Sequence, residues 1–324
     1  MGDALLKALD IINKKHGKGA VINGEEKVEY ERTPTGSLGL DIITGGGYPA
    51  GKHIVVVGME SSGKTTIFTH AMVEAQKKYP DKKVAIIDSE ASYDKDYAEA
   101  LGLDMNKVII CQPDNGEQGL DIADILVASG EISMLLVDSI ATLTPKRELE
   151  GEIGDSMMGV QARMMSQAFR VITAKARKTG TTCLWTNQYR EKIIAYGNPL
   201  TEPAGNASKF YASIKIELKK KTGEDKDENG DIMNSMVTAK TLKNKTAPPF
   251  RSCEFDILFG EGVDKISELI FWGVKSNVIT KAGSWFSYGD LKIGQGQNTV
   301  KDLLKDNPEL AEEIESKIRQ HYKI

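Results

Sequence analysis

Cysteine and histidine are scarce in this 324-residue chain, which has three of the first and four of the second. Cys111, Cys183 and Cys253 are odd in number, far apart and form no Cys-x-x-Cys pair. That excludes a disulfide framework and a zinc ribbon, and it points to a reducing, cytoplasmic compartment. His16, His53, His70 and His321 are equally scattered, which argues against a histidine metal cluster or a hydrolytic triad. No apolar run approaches the roughly 18 residues a membrane span needs. The opening Met1-Gly2-Asp3-Ala4-Leu5-Leu6-Lys7 lacks the apolar core of an export signal, so no membrane partner is expected. Neither sign of charge dominates: 42 Lys plus Arg stand against 46 Asp plus Glu, a net −4. This excludes a constitutively basic nucleic-acid coat.

What is present is an ordinary globular composition, 40% hydrophobic and 27% charged. Residues 3–15 set Leu5, Leu6, Leu9, Ile11 and Ile12 among lysines and aspartates, which predicts a short amphipathic helix ending near Gly17. Such a helix is marginal alone. It either folds back on its own core or packs as an arm on a neighbouring subunit, and Ala20-Val21-Ile22 offers a short strand after it. From Ile54 onward, short apolar runs alternate with longer helical stretches. The runs are Ile54–Val57, Val84–Ile87, Val108–Ile110, Met134–Val137 and Thr182–Trp185. They read as strands buried on both faces and joined by parallel crossovers. After position 209 strand follows strand, over Phe210–Leu218, Met236–Leu242 and Cys253–Phe259, which predicts antiparallel pairing at the end of the sheet. Two stretches read as loops, Tyr196–Asn206 and the charged tip Lys221–Asp231. Beyond Gly262 a smaller unit of about 60 residues is expected.

The segment Gly58-Met59-Glu60-Ser61-Ser62-Gly63-Lys64-Thr65-Thr66 matches Gly-x-x-x-x-Gly-Lys-[Ser/Thr], follows a strand and precedes a helical stretch. In this context glycines let backbone N–H groups wrap phosphates, Lys64 supplies positive charge to the β- and γ-phosphates, and the Thr65 hydroxyl can ligate Mg²⁺. ATP with Mg²⁺ is therefore the expected cofactor. Hydrolysis also needs carboxylates at strand ends. Asp138 closes one run and suits the metal. Glu90 lies just beyond another and is the better candidate to activate water. Asp88 could be a capping residue instead, and spacing does not separate the two. Gln188 ends the Thr182 strand where an amide could touch a γ-phosphate and lead into the loop that follows; it reads as a nucleotide sensor or as a simple strand cap. Between Pro145 and Ala195 there are nine basic and five acidic side chains. Such local positive charge suits a phosphate backbone, although a solvated mixed-charge face accounts for the composition as well.

In its motifs the chain resembles the bacterial RecA recombinases, along nearly its whole length. The resemblance rests on Thr35-Gly36-Ser37-Leu38-Gly39-Leu40-Asp41, the phosphate loop, Gln112-Pro113-Asp114-Asn115-Gly116-Glu117-Gln118, Glu150–Gly159, Ala162–Gln167, Asn187-Gln188, Gly197-Asn198-Pro199, Lys209–Ser213 and Lys243-Asn244-Lys245. It implies an α/β fold: a P-loop ATPase core with a mostly parallel central sheet, helices on both faces and antiparallel strands at one end. It further implies an N-terminal polymerisation arm over 1–32, a core over 33–261 and a small α+β C-terminal domain over 262–324. The implied activity is ATP-dependent polymerisation on single-stranded DNA, homology search in double-stranded DNA and strand exchange in recombination and repair, by a self-assembled helical filament.

The resemblance also assigns roles. Glu90 falls on the catalytic carboxylate, and Asp94 and Tyr97 on residues at the adenine end. Lys243 and Lys245 fall on a pair reaching the γ-phosphate of an adjacent subunit. Met158 falls on a wedge between bases, with Gly159, Arg163, Ser166 and Arg170 near phosphates. Arg190, Ile193, Gly205 and Asn206 belong to a second DNA loop, and Phe210 to a subunit interface. Four departures stand out. Met59 replaces a usual proline, and the second DNA loop is one residue shorter, with Pro203-Ala204-Gly205 for Thr-Gly-Gly. Thr238 replaces a frequent arginine, and the last residues carry no acidic tail. Two other functions share these features: a hexameric helicase or loader of the same fold, and a DNA-sheathing filament in which ATP serves only as an assembly switch.

Overall fold

The computed structural model describes residues 3–17, 21, 29–152, 159–191, 200–222, 230 and 232–324. It divides into two compact units, Met1–Glu31 and Arg32–Ile324. In the first, a helix spans Asp3–His16, with an exposed i,i+4 ion pair between Lys14 and Asp10 at 2.8 Å. Leu5, Leu6 and Ile11 are exposed on it.

The second unit is built on a nine-stranded sheet. In chain order its strands are β1 (His53–Gly58), β2 (Lys83–Asp88), β3 (Val108–Cys111), β4 (Ile132–Asp138), β5 (Thr182–Gln188), β6 (Ile214–Thr222), β7 (Asn234–Asn244), β8 (Ser252–Leu258) and β9 (Gly262–Val263). Across the sheet they run β9-β8-β7-β6-β1-β5-β4-β2-β3. The strands from β6 to β3 in that order are mutually parallel, and β7, β8 and β9 are added antiparallel. The expected change from parallel to antiparallel pairing is what the sheet shows. One boundary moves: Phe210 lies in a short helix, Ala207–Tyr211, and the strand begins only at Ile214. There the ammonium of Lys243 donates to the carbonyls of Lys209 (2.6 Å) and Phe210 (3.0 Å), satisfying acceptors that a helix end leaves free.

Side chains alternate between the faces with the strand period of two. Ile54 and Val56 of β1, Ile86 of β2 and Leu136 of β4 pack with Phe68 and Met72 of the helix Lys64–Lys78. Val55, Ile87, Leu135 and Val137 face the other way, onto Leu120 and Val127 of the helix Gly116–Ser129 and Phe169 and Ile172 of the helix Val160–Thr179. Both faces are therefore dry, which is why the parallel strands read as continuous apolar runs. After β9 the chain forms the helix Lys265–Lys275, a three-stranded antiparallel sheet, and helices Gln297–Asp306 and Pro308–Tyr322. Phe286, Ile293, Val300, Leu304, Ile314 and Ile318 from this region join the first core.

The segment Thr35–Asp41 fastens that region to the sheet. Asp41 is fully buried; its Oδ1 accepts from Thr35 N and Oγ1 at 2.7 and 2.8 Å, and its Oδ2 from Arg319 Nη2 at 2.9 Å. Beside it Glu268, also buried, accepts from Ser37 Oγ, Leu38 N and Gly39 N at 2.7, 3.2 and 3.0 Å. Burial raises its carboxyl to about 7 despite these donors. A Cβ at Gly39 would lie 2.8 Å from Glu268 Oε1 and 3.0 Å from Trp272 Nε1, so the motif's second glycine is a close-approach site. Removing Arg319 would leave a buried carboxylate without its cation.

A second buried polar chain joins β1 to the helix Val160–Thr179. Trp185 Nε1 donates to His53 Nδ1 at 3.0 Å, and His53 Nε2 lies 2.9 Å from Thr173 Oγ1. With Nδ1 accepting, Nε2 carries the proton, so the ring is neutral; a second proton would set two N–H groups against each other. Burial, assisted by Lys52, lowers the imidazole from 6.5 to about 4. The folded state thus refuses a proton that the unfolded chain binds, and stability is complete above pH 6.5 and lost as pH falls toward 4. His53→Gln keeps one acceptor and one donor but does not titrate. Urea unfolding from pH 6.5 to 4 should lose about 3 kcal/mol less in this variant than in the parent; parallel curves would show that His53 is protonated in the fold.

Candidate nucleotide and DNA site

The parallel register brings the ends of β1, β2, β4 and β5 to one edge of the sheet. Gly58 is level with Gln188, and Asp88 with Asp138. After Gly58 the chain turns through Glu60, Ser61 (φ 53°) and Ser62 to Gly63, whose φ of 86° starts the helix Lys64–Lys78. That left-handed residue cannot carry a side chain cheaply, and a Cβ there would also meet Ile257 Cδ1 at 2.4 Å. Lys64 is 8% exposed, its ammonium donating to Met59 O at 2.8 Å. Burial lowers its pKa, opposed by Asp138, Glu90 and Glu60. Met59 occupies the turn without displacing this contact.

Beside the loop lie two adjoining clefts of about 360 and 260 Å³. Ser61, Lys64, Thr65 and Tyr97 line both. Tyr97 Oη lies 3.3 Å from Thr66 Oγ1, and Asp94 caps the helix Lys95–Ala100 by accepting from Tyr97 N at 2.9 Å. Asp94 thereby fixes the position of the tyrosine. Two buried hydroxyls here, Ser62 and Ser235, have no hydrogen-bond partner among the described residues. Lys220, Ser235, Val237, Ile257, Phe259 and Gly260 complete the larger cleft, and none was anticipated. Ser235 alternates with Val237 along β7, and Ile257 of β8 with Phe259 just beyond its end. Alternation alone, however, does not say which strand lies beside the loop.

The acidic residues separate into distinct roles. Asp88 is buried and saturated, accepting from Ser92 N, Tyr93 N and Gln112 Nε2 at 3.2, 3.2 and 3.1 Å. It holds the turn. Glu90 is exposed on that turn, ahead of Ala91 at φ 52°, and its Oε1 accepts from Ser139 Oγ at 2.8 Å and Gln188 Nε2 at 3.4 Å. Asp138 accepts from Thr65 Oγ1 at 2.6 Å and Thr186 Oγ1 at 2.5 Å. Ser139 and Thr186 were also missed; they act through neighbours and leave no motif. One carboxylate beside one hydroxyl at a phosphate loop is the donor set that Mg²⁺ completes with phosphate and water. No cluster of three or more His, Cys, Asp or Glu side chains that could hold a metal occurs among the described residues.

Comparison with known proteins agrees with this geometry. The RecA N-terminal domain family matches residues 3–264, and the RecA C-terminal domain family matches 267–323. The chain is 50% identical over 321 residues to Protein RecA of Porphyromonas gingivalis, covering 98% of this chain and 93% of that one. It is 48% identical over 325 residues to Protein RecA of Cytophaga hutchinsonii (99% and 91% covered). With Protein RecA of Bacteroides thetaiotaomicron it shares 48% over 320 residues (97% and 96% covered). The chain belongs to the RecA family. Membership makes it a nucleotide-binding, DNA-dependent ATPase of homologous recombination and repair, from a family that acts on DNA and forms filaments. No helix among the described residues is long and apolar enough to cross a membrane.

In this RecA-family chain Lys243 and Lys245 are not at the nucleotide clefts. Lys243 pairs with Lys215, which is level with Val55 near the start of β1, whereas the phosphate loop leaves its far end. From Val55 to Gly58 is roughly 10 Å of strand. Burial, Lys245 and Lys215 lower the pKa of Lys243. Phe210, whose carbonyl Lys243 holds, is 72% exposed.

Gly159 (φ 78°) precedes the helix Val160–Thr179, on which Arg163, Ser166 and Arg170 share one face along an open groove. Both arginines are exposed. Arg190 is exposed and paired in register with Thr201. Met158 and Ile193 lie outside the described residues. Gly205 (φ 72°) and Asn206 lead into the helix Ala207–Tyr211, and Ala204 (φ 62°) takes a left-handed conformation where the common pattern has glycine. A Cβ at Gly205 would lie 2.9 Å from Ala162 Cβ, so this glycine docks the turn before the helix Ala207–Tyr211 on the helix Val160–Thr179. Gly205→Ala should lower stability to urea by about 1–2 kcal/mol and weaken single-stranded DNA binding in fluorescence polarisation. Unchanged values for both would show that the turn is not held by this contact.

Proposed function

We propose that the chain binds ATP with Mg²⁺ in these clefts, polymerises on single-stranded DNA, and pairs it with homologous double-stranded DNA for strand exchange, in the cytoplasm. The observation that carries the reading is the convergence of Lys64, Thr65, Asp138, Glu90 and Gln188 on one sheet edge while Lys243 and Lys245 lie toward the other. Backbone amides of Glu60–Thr66 and the Lys64 ammonium would hold the phosphates, and Tyr97 would stack on the base. Thr65 and Asp138 would hold Mg²⁺, which supplies charge neutralisation at the phosphates. Glu90, set by Ser139, would take a proton from the attacking water. Gln188 already touches Glu90, so a γ-phosphate competing for its amide would change the strand that leads to the second DNA loop.

A lysine pair turned away from its own phosphate loop can serve only a neighbour's. That favours a filament in which Phe210 and Lys243 meet the next subunit, and in which the N-terminal helix serves as the arm. DNA would lie along Met158, Gly159, Arg163, Ser166, Arg170, Arg190, Ile193, Gly205 and Asn206, where positive charge is concentrated. A passive sheath has no use for a carboxylate poised by a hydroxyl over the phosphates.

Glu90→Gln should bind ATP and single-stranded DNA as the parent does yet turn over at least about 100-fold more slowly. Retained turnover would place the base elsewhere. Lys243→Ala should also lack DNA-stimulated hydrolysis. Mixing the two inactive variants should regain part of it, because some junctions then combine an intact Glu90 with a neighbour's intact Lys243. No recovery in mixed filaments would confine Lys243 to its own subunit.

A further inference from the structure

Glu202 lies in the second DNA loop, at none of the positions assigned to DNA. Its side chain is 6% exposed, as is that of Lys215 on β6, with which it forms an ion pair. Its second oxygen faces Asn187 Nδ2 at 3.5 Å. Asn187 is fully buried on β5, and its Oδ1 accepts the backbone N–H of Gln188 at 3.0 Å. Gln188 Nε2 then reaches Glu90. On its other side Lys215 pairs in register with Lys243. One carboxylate therefore connects the strand that ends at the nucleotide, the strand beside the lysine pair, and the end of a DNA loop. A second tie runs parallel to it: Tyr189 Oη donates to Glu217 Oε1 at 2.9 Å.

Separating a buried ion pair leaves an uncompensated charge, so the loop end cannot leave the sheet without a large cost at Lys215. The geometry points to Glu202 as a positioning residue, a latch that holds the second DNA loop on the sensor strand through Lys215 and Asn187. Gln188 and the loop then move together, and DNA bound at the loop is felt at Glu90. This rests on the reading of Gln188 as the sensor.

The test uses the full chain with ATP and Mg²⁺, with and without single-stranded poly-dT, together with thermal melting. Glu202→Gln should leave DNA-free hydrolysis within about twofold of the parent while its stimulation by DNA falls about tenfold. Glu202→Gln combined with Lys215→Met removes both charges. It should recover thermal stability and keep the low stimulation, which a merely structural pair would not do. Recovery of stability and stimulation together would overturn the latch, as would stimulation within about twofold of the parent in Glu202→Gln. Gln188→Ala separates the two readings. Full stimulation there would overturn the sensor and the latch with it; loss there with stimulation retained in Glu202→Gln would overturn the latch alone.

Discussion

The parallel register of β1, β5, β4 and β2 is the constraint on which the rest of the molecule depends. Parallel strands send all their C-terminal ends to one edge, so Gly58, Gln188, Asp138 and Asp88 end within reach of one ligand. Antiparallel pairing would divide the same residues between two edges. The crossovers that parallel pairing requires are the helices Lys64–Lys78, Gly116–Ser129 and Val160–Thr179, and these cover both faces with apolar side chains. The first begins at the phosphate loop, and the third begins at Gly159. One packing solution thus starts both helices at the same edge of the sheet.

Much of this was legible because burial on both faces leaves a strong mark. Val55 and Val56 point to opposite cores, and both must be apolar, so β1 reads as a strand beyond mistake. The phosphate loop was legible because its chemistry is local: Gly63 and Lys64 act where the sequence puts them. Whether Asp88 or Glu90 was the free carboxylate was not legible. Both follow the same strand, and the answer lies in which one the turn saturates with N–H donors. Ser139, Thr186 and the wall formed by Ser235, Ile257 and Phe259 were invisible for another reason. Their positions depend on strand order, which alternation does not encode. Phe210 read as the start of a strand because an aromatic before an alternating run has high β-propensity; the capped turn at Lys209 and Phe210 overrides that preference.

One family motif outside the nucleotide site proves to be structural. Thr35–Asp41 looks like a functional signature, yet its polar atoms are consumed by Glu268 and Arg319. Buried carboxylates are expensive, and here the site needs two. Their geometry specifies how the C-terminal helices seat on the sheet, which apolar packing alone would leave free to slide. The signature is therefore a clamp rather than a second active site.

Net charge then acquires a physical meaning. At −4 the chain repels nucleic acid weakly as a whole, while Arg163 and Arg170 are exposed on the helix Val160–Thr179 and Arg190 on the short strand that follows β5. An isolated subunit offers few phosphate contacts, and affinity that depends on counterion release grows with their number. A filament multiplies those contacts. The strand β5 that ends at Gln188, beside Glu90, leads directly into the segment that carries Arg190, and β7, three places away in the sheet, ends at Lys243 and Asn244.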